Sequence, residues 1–128
     1  MPGARGGSAY GWAVLPETDV ARIRRWVDAR NDGLPERARG QVRFETDVTD
    51  RHVTVYECRP PWRPDPDSAE WSRFPIVRFH YTKTRREWTT YWRDRNLRIH
   101  RFDLIPPSPH VEELLAAVDT DSTGIFWG

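Results

Sequence analysis

The sequence predicts a two-layer α+β domain, in which an antiparallel β-meander of about five strands is flanked by an N-terminal and a C-terminal helix. Three observations predict it. Apolar residues recur at helical spacing near both ends, they alternate with polar residues in between, and turn-forming runs separate the alternating segments. Each helix has a single apolar stripe, so we expect each to cover a sheet rather than cross a core alone.

The first helix is predicted over residues 16–32. A proline suits the first helical position, and the acidic residues that follow complement the positive end of the helix dipole. Its buried stripe consists of Val20, Ile23 and Val27. Gly33 is a suitable C-terminal stop.

The middle of the chain is predicted to form the sheet. QVRFETD and HVTVYECR alternate as the two strands of a hairpin, and PIVRFHYTK, EWTTYWR and LRIHRFDLI follow as three further strands. The segment RPPWRPDPDSAEWSRFP is rich in proline, which cannot donate a ladder hydrogen bond. We therefore expect this segment to connect the second and third strands rather than to be part of a central strand.

The second helix is predicted over residues 109–118, with Ser108 as its N-cap. Its apolar stripe has the spacing i, i+3, i+4, i+7 and comprises Val111, Leu114, Leu115 and Val118. Three bulky apolar residues follow near the C-terminus, Ile125, Phe126 and Trp127. Because a solvated tail gains nothing from such side chains, we expect all three to pack against the domain.

Size and composition favour a single domain over residues 16–128, preceded by a flexible N-terminal arm over residues 1–15. Apolar residues make up 38% and charged residues 30% of the chain, and a 12% aromatic content argues against disorder. One cysteine excludes an internal disulfide, and no apolar run reaches membrane-spanning length. A cytoplasmic protein without membrane contact is the expectation.

Charge is unevenly distributed along the chain. Residues 51–102 contain twelve Arg or Lys against six acidic residues, whereas residues 103–128 contain five acidic residues and no Arg or Lys. The two regions either pair within the molecule or leave a basic face for an anionic partner. Both interpretations are compatible with the sequence.

Aromatic and basic residues alternate in the predicted third and fifth strands. Alternation allows Arg78, His80, Arg98 and His100 to share one face, with Tyr91 or Trp92 beside them according to the length of the turn. Such a face suits nucleic acid, and the candidate binding residues are Arg59, Trp62, Arg78, His80, Lys83, Tyr91, Trp92, Arg98, His100 and Arg101. The alternative is that the rings form core, above all Phe79, Trp88 and Trp92, or an interface with a protein partner or a second copy.

A second hypothesis is a small metal-dependent nuclease or hydrolase. Asp47 and Glu57 would hold Mg²⁺, and Arg59 and Lys83 would supply the positive charge. The structural alternative is a Glu57–Arg59 ion pair that ties the proline-rich segment to the sheet. No other cofactor or metal is predicted, because Cys58, His80 and His100 lack the spacing of metal ligands.

Four segments resemble the bacterial domain-of-unknown-function family 3024. They are VTVYECRPPW, VRFHYTKTRREWTTYWRDRNLRIHRFDLIP, HVEELLAAVDTD and the terminal GIFWG, and the resemblance runs from about Val20 to Gly128. The longer N-terminal arm and the use of Arg in place of Lys depart from the family pattern. The resemblance implies a fold and no established activity.

Overall fold

The computed structural model describes residues 15–61 and 70–128. The predicted arm over residues 1–15 therefore lies almost entirely outside the described residues. Two helices flank five strands in chain order: α1 (Glu17–Asp32), β1 (Arg43–Val48), β2 (His52–Arg59), β3 (Ser72–Thr82), β4 (Glu87–Arg93), β5 (Ile99–Arg101) and α2 (Val111–Thr120). A short 3₁₀ turn, Glu36–Ala38, lies between α1 and β1.

The sheet has the strand order β1-β2-β3-β4-β5, and every neighbouring pair is antiparallel. Each strand therefore pairs with the strands next to it in sequence, which is a meander. The predicted α+β class, with one helix at each end of a five-stranded antiparallel sheet, is confirmed. None of the helices in the described part of the chain has the length and apolar composition needed to cross a bilayer.

One face of the sheet, here called the inner face, packs against both helices. Val53 on β2 lies opposite Phe79 on β3, and Phe79 lies opposite Thr90 on β4. All three are fully buried. The predicted apolar stripes of the two helices join the same core. Because β-strand side chains alternate, the remaining residues of each strand face away from the helices.

Helix α1 is fixed to the inner face by a buried tryptophan. The indole Nε1 of Trp88 donates a hydrogen bond of 3.0 Å to Asp19 Oδ2. Trp88 is fully buried, so this carboxylate is the partner its N–H needs away from water. Asp19 also forms an ion pair of 3.0 Å with Arg22. The ring of Trp26 meets Phe79 edge-on, with 6.0 Å between centroids.

We expect Asp19→Ala to lower the free energy of unfolding by about 1–3 kcal/mol, because it leaves the buried indole N–H of Trp88 unpaired. Urea denaturation measures the change. Glu17→Ala is the matched control, since it removes an exposed carboxylate from the same first turn of α1. Equal losses in the two variants would mean that the helix dipole, and not the indole hydrogen bond, accounts for the effect.

Strand β3 begins earlier than the sequence predicts. It starts at Ser72, so Pro75 lies within a strand that pairs with β2. The prediction failed because β4 pairs with β3 only from Arg78 to Thr82. At Pro75 the strand has a partner on one side only, and a missing N–H is tolerated there. The register between β2 and β3 shifts at this point, between Val55 and Tyr56.

Two other predicted boundaries also differ. Strand β5 covers only Ile99–Arg101, because Leu97 adopts a left-handed conformation with φ of 65° in the preceding turn. Helix α2 begins at Val111, two residues after the prediction, and Ser108 is not its N-cap. Instead the Ser108 hydroxyl accepts a 3.0 Å hydrogen bond from the His110 N–H, while its backbone forms an isolated bridge with Trp88.

The C-terminal residues pack against the domain, as predicted, with one exception. Phe126 is buried and lies 5.0 Å from the Phe102 ring. The Trp127 ring lies 5.5 Å from Phe44, and the Arg30 guanidinium stacks 3.3 Å from its centroid. Ile125 is 37% exposed, so its predicted packing is wrong. Consecutive side chains of a tight turn diverge, and the turn directs Ile125 outward.

Candidate nucleic-acid interface

The face of the sheet away from the helices is here called the outer face. The strand registers assign these side chains to it: Arg43, Glu45, Asp47, His52, Thr54, Tyr56, Cys58, Arg73, Pro75, Arg78, His80, Thr82, Glu87, Thr89, Tyr91, Arg93, Ile99 and Arg101. In the described residues, both helices contact the inner face and neither contacts the outer face. Arginine and aromatic side chains, counting the histidines, therefore account for half of the outer-face positions.

At one end of the outer face, two arginines stack on aromatic rings. The guanidinium carbon of Arg43 lies 4.2 Å from the Trp71 ring centroid, and that of Arg73 lies 4.2 Å from the Tyr56 ring centroid. Glu45 lies between the two arginines, 2.7 Å from Arg43 Nε and 3.7 Å from Arg73 Nε. These contacts hold flat side chains in place on the sheet surface.

Cys58 lies beneath this cluster and is fully buried. Burial raises the pKa of its thiol, and the negative charge of Glu45 raises it further, while Arg73 acts in the opposite direction. The thiol is therefore held neutral. A neutral buried thiol is a small packing residue rather than a nucleophile.

In the middle of the outer face, two arginines are anchored by neutral acceptors. Arg78 Nε donates to Thr54 Oγ1 over 2.9 Å, and Arg93 Nε donates to the Pro75 carbonyl over 2.9 Å. Among the described residues, no carboxylate lies within ion-pair distance of either guanidinium. A guanidinium has five N–H donors, so each keeps charge and donors for a ligand.

Two histidines lie beside Arg78. His52 and His80 are directly opposite each other on β2 and β3, and the His80 ring lies 6.1 Å from the Tyr91 ring. Partial burial lowers the pKa of both imidazoles, and the positive charge of Arg78 lowers it further. Each histidine is therefore held neutral at a pH where a free imidazole begins to protonate.

Four of the predicted binding residues come together on the outer face. Strand pairing places Arg78 opposite Tyr91, and Tyr91 opposite Arg101. His80 lies on the same face, two residues after Arg78. Arg101 is half-exposed and forms an ion pair of 3.4 Å with Asp103.

The prediction that His100 and Arg98 share this face is wrong. His100 lies opposite Trp92, which packs against the core on the inner side. Its ring lies 5.1 Å from that indole, and its Nε2 lies 2.7 Å from Asp94 Oδ2. This contact lowers the pKa of Asp94. Arg98 lies in the turn before β5, outside the sheet. Trp92 is likewise not part of the outer face.

The other predicted binding residues lie apart from this group. Lys83 is exposed in the turn between β3 and β4. Arg59 ends β2 and forms with Glu57 the ion pair of the structural alternative, at 3.0 Å, while most of the proline-rich segment that it was expected to tie to the sheet lies outside the described residues. Trp62 lies outside the described residues.

The residues of the nuclease hypothesis do not converge. Asp47 lies opposite Thr54 on the outer face, whereas Glu57 lies opposite Phe44 and belongs to the other face by alternation. One cation cannot contact carboxylates on both faces of a sheet. Among the described residues, no three His, Cys, Asp or Glu side chains are grouped closely enough to hold a metal ion.

Sequence reasoning missed four outer-face side chains: Arg43, Tyr56, Arg73 and Arg93. A signal for one of them was present. In HVTVYECR the side chains alternate, so Tyr56 points away from the face that carries Val53 and Val55. If the two valines are buried, Tyr56 must point outward. Arg93 follows by the same rule once Tyr91 is placed outward.

Together, the fold and the outer face define a class of protein. It is a small α+β domain whose sheet has helices on one face and arginine and aromatic side chains on the other. The family model described as "Domain of unknown function (DUF3024)" matches residues 13–128. The chain therefore belongs to this family, which confirms the resemblance seen in its motifs. No curated protein and no solved structure gives a significant match.

Proposed function

We propose that the protein binds nucleic acid through its outer face. The observation that carries this proposal is the anchoring of Arg78 and Arg93. Each guanidinium is held in the middle of the sheet by a neutral oxygen, and neither has a carboxylate partner among the described residues. Preorganised arginines with spare donors suit phosphate groups.

The charge of the whole outer face supports an anionic partner. Its described residues include five arginines against three carboxylates, those of Glu45, Asp47 and Glu87. Glu45 is already shared between Arg43 and Arg73. A polyanion that crosses the sheet would therefore meet excess positive charge along most of its path.

The aromatic side chains favour nucleic acid over other polyanions. Tyr91 lies between Arg78 and Arg101, and Tyr56 lies beneath Arg73. The Tyr56 ring is already covered by the Arg73 guanidinium, so Tyr91 is the ring on which a base could stack while neighbouring arginines contact phosphates. An acidic peptide without aromatic residues would use the charge and offer no planar group to stack on the ring.

The test is an anisotropy titration with labelled single-stranded and duplex DNA and RNA at low salt. We expect binding that weakens steeply as salt is added, because phosphate contacts release counterions. Heparin and polyglutamate serve as competitors without bases. If they compete as strongly as unlabelled oligonucleotide does, the outer face is a general polyanion surface. If no oligonucleotide binds at micromolar protein concentration, the proposal is overturned in favour of a protein partner.

A further inference from the structure

Positive groups surround His80, which lies between Arg78 in the middle of the outer face and the end of the face opposite the Arg43 and Arg73 stacks. Arg78 is two residues before His80 on the same face of β3. The backbone N–H of Tyr81 donates a hydrogen bond of 2.9 Å to the carbonyl of Arg51, which fixes the β1–β2 turn beside His80. The charges of Arg51 and Arg78 both act on the imidazole of His80.

The groups that surround His80 differ from strand to strand. On β2 it lies opposite His52. The negative charges of Asp47 and Asp50 act on His52 and partly offset the lowering of its pKa. On β4, His80 lies opposite Thr89, a small buried residue, with the Tyr91 ring 6.1 Å away. Glu87 also faces outward on β4, opposite Thr82 and two residues before Thr89. Asp47 and Asp50 therefore lie on the His52 side and Glu87 on the β4 side, and among the described residues none of the three forms an ion pair with His80.

We propose that Arg51, Arg78 and His80 form a phosphodiester subsite of the outer face, in which His80 takes up a proton when the phosphate binds. The inference rests on the proposed function, since it names the position at which a nucleic-acid phosphate would be held. Two guanidiniums and an imidazolium would surround the anion with N–H donors. Among the described residues, no carboxylate lies within ion-pair distance of His80.

Proton uptake follows from the electrostatics. In the free protein, burial lowers the pKa of His80, and the charges of Arg51 and Arg78 lower it further. A bound phosphate would offset both arginine charges and accept a hydrogen bond from the protonated ring, so the pKa of His80 would rise. By linkage, affinity should then increase as the pH falls through the range in which histidine titrates.

His52 is expected to respond less than His80. Its Nδ1 is buried and has no hydrogen-bond partner among the described residues. Protonation would bury an unpaired N–H, which opposes charging of this ring. Binding that recruited both histidines equally would therefore contradict the assignment of the subsite to His80.

The test is a proton NMR titration of the imidazole signals, with and without saturating dimethyl phosphate or a thymidine dinucleotide. Both probes contain a phosphodiester, and only the dinucleotide has bases. The chain has four histidines, so single His→Gln variants assign every signal. We expect either probe to raise the proton affinity of His80 about tenfold, and to leave those of His100 and His110 unchanged.

Matched variants separate the subsite from general charge. Arg51→Gln should raise the pKa of His80 in the free protein and weaken the response to dimethyl phosphate several-fold. Arg24→Gln removes the same charge from an exposed position of α1 and should change neither property. Equal effects of the two variants would overturn the subsite.

The outcomes distinguish the subsite from the proposed function. If the pKa of His80 rises with dimethyl phosphate but no oligonucleotide binds, the subsite is retained for another phosphodiester and the nucleic-acid proposal is overturned. Oligonucleotide binding with an unchanged pKa of His80 would retain the nucleic-acid proposal and overturn the subsite.

Discussion

Replacing Phe126 with alanine is expected to lower the free energy of unfolding by about 3–5 kcal/mol, the usual cost of truncating a buried phenylalanine. Phe126 is 5% exposed, and its ring lies 5.0 Å from that of Phe102 in a T-shaped arrangement. Its backbone N–H is held by Asp121 Oδ1 over 3.1 Å, so the backbone cannot move freely to refill the space. Urea denaturation followed by far-UV circular dichroism measures the loss.

The neighbouring residue provides the control. Ile125→Ala removes an apolar side chain from the same turn, but Ile125 is 37% exposed and should cost no more than about 1 kcal/mol. Similar losses for the two variants would show that the turn as a whole, rather than the burial of Phe126, stabilises the protein.

The second large effect concerns affinity. We expect Arg78→Gln, Arg93→Gln and Arg101→Gln together to weaken binding of single-stranded oligonucleotides roughly 100-fold, if each arginine contributes about 1 kcal/mol. Loss of three phosphate contacts should also make the dependence of log affinity on log salt shallower by about 2. Anisotropy titrations over a series of salt concentrations measure both quantities, and urea denaturation checks that the variant remains folded.

The control variant has the same change in net charge on the other side of the molecule. Arg24, Arg25 and Arg37 are exposed, and they lie on α1 and on the 3₁₀ turn that follows it. Glutamine at these three positions should leave affinity within about twofold, because exposed charges more than a Debye length from the ligand are largely screened. If this control lost as much affinity as the outer-face variant, binding would depend on net charge alone.

The helices and the strand order were predictable because each depends on local pattern. The stripe of Val20, Ile23 and Val27 is buried as its spacing indicated, and alternation assigned Phe79 to the core. These features need no knowledge of how one strand is aligned with the next. The family resemblance was visible for the same reason, in contiguous motifs.

The composition of the outer face was not predictable to the same degree, because it depends on register. The position of Leu97 in a left-handed conformation sets the turn that pairs Tyr91 with Arg101. A one-residue change in this alignment would have brought His100, instead of Arg101, outward beside Tyr91. Alternation within a single strand cannot decide between these two pairings.

The boundary of β3 was missed for a different reason. Proline is normally excluded from a central strand, and the prediction extended this exclusion over the whole length of β3. Strand β3 extends past the end of β4, so the rule applies only to Arg78–Thr82, where both neighbours pair with it. The relative lengths of neighbouring strands are set by tertiary packing, which the sequence pattern does not display.

The meander order also has a consequence for the route of folding. Every strand pairs with its neighbour in sequence, so the sheet can grow by closing one local loop after another, the longest of them residues 60–71 between β2 and β3. Docking of α1 is different, because the hydrogen bond from Trp26 Nε1 to Asp119 joins residues 93 positions apart. We therefore expect the hairpins to assemble early and α1 to dock late. In native-state hydrogen exchange, the amides of α1 would then open at a lower free energy than those of β2 and β3.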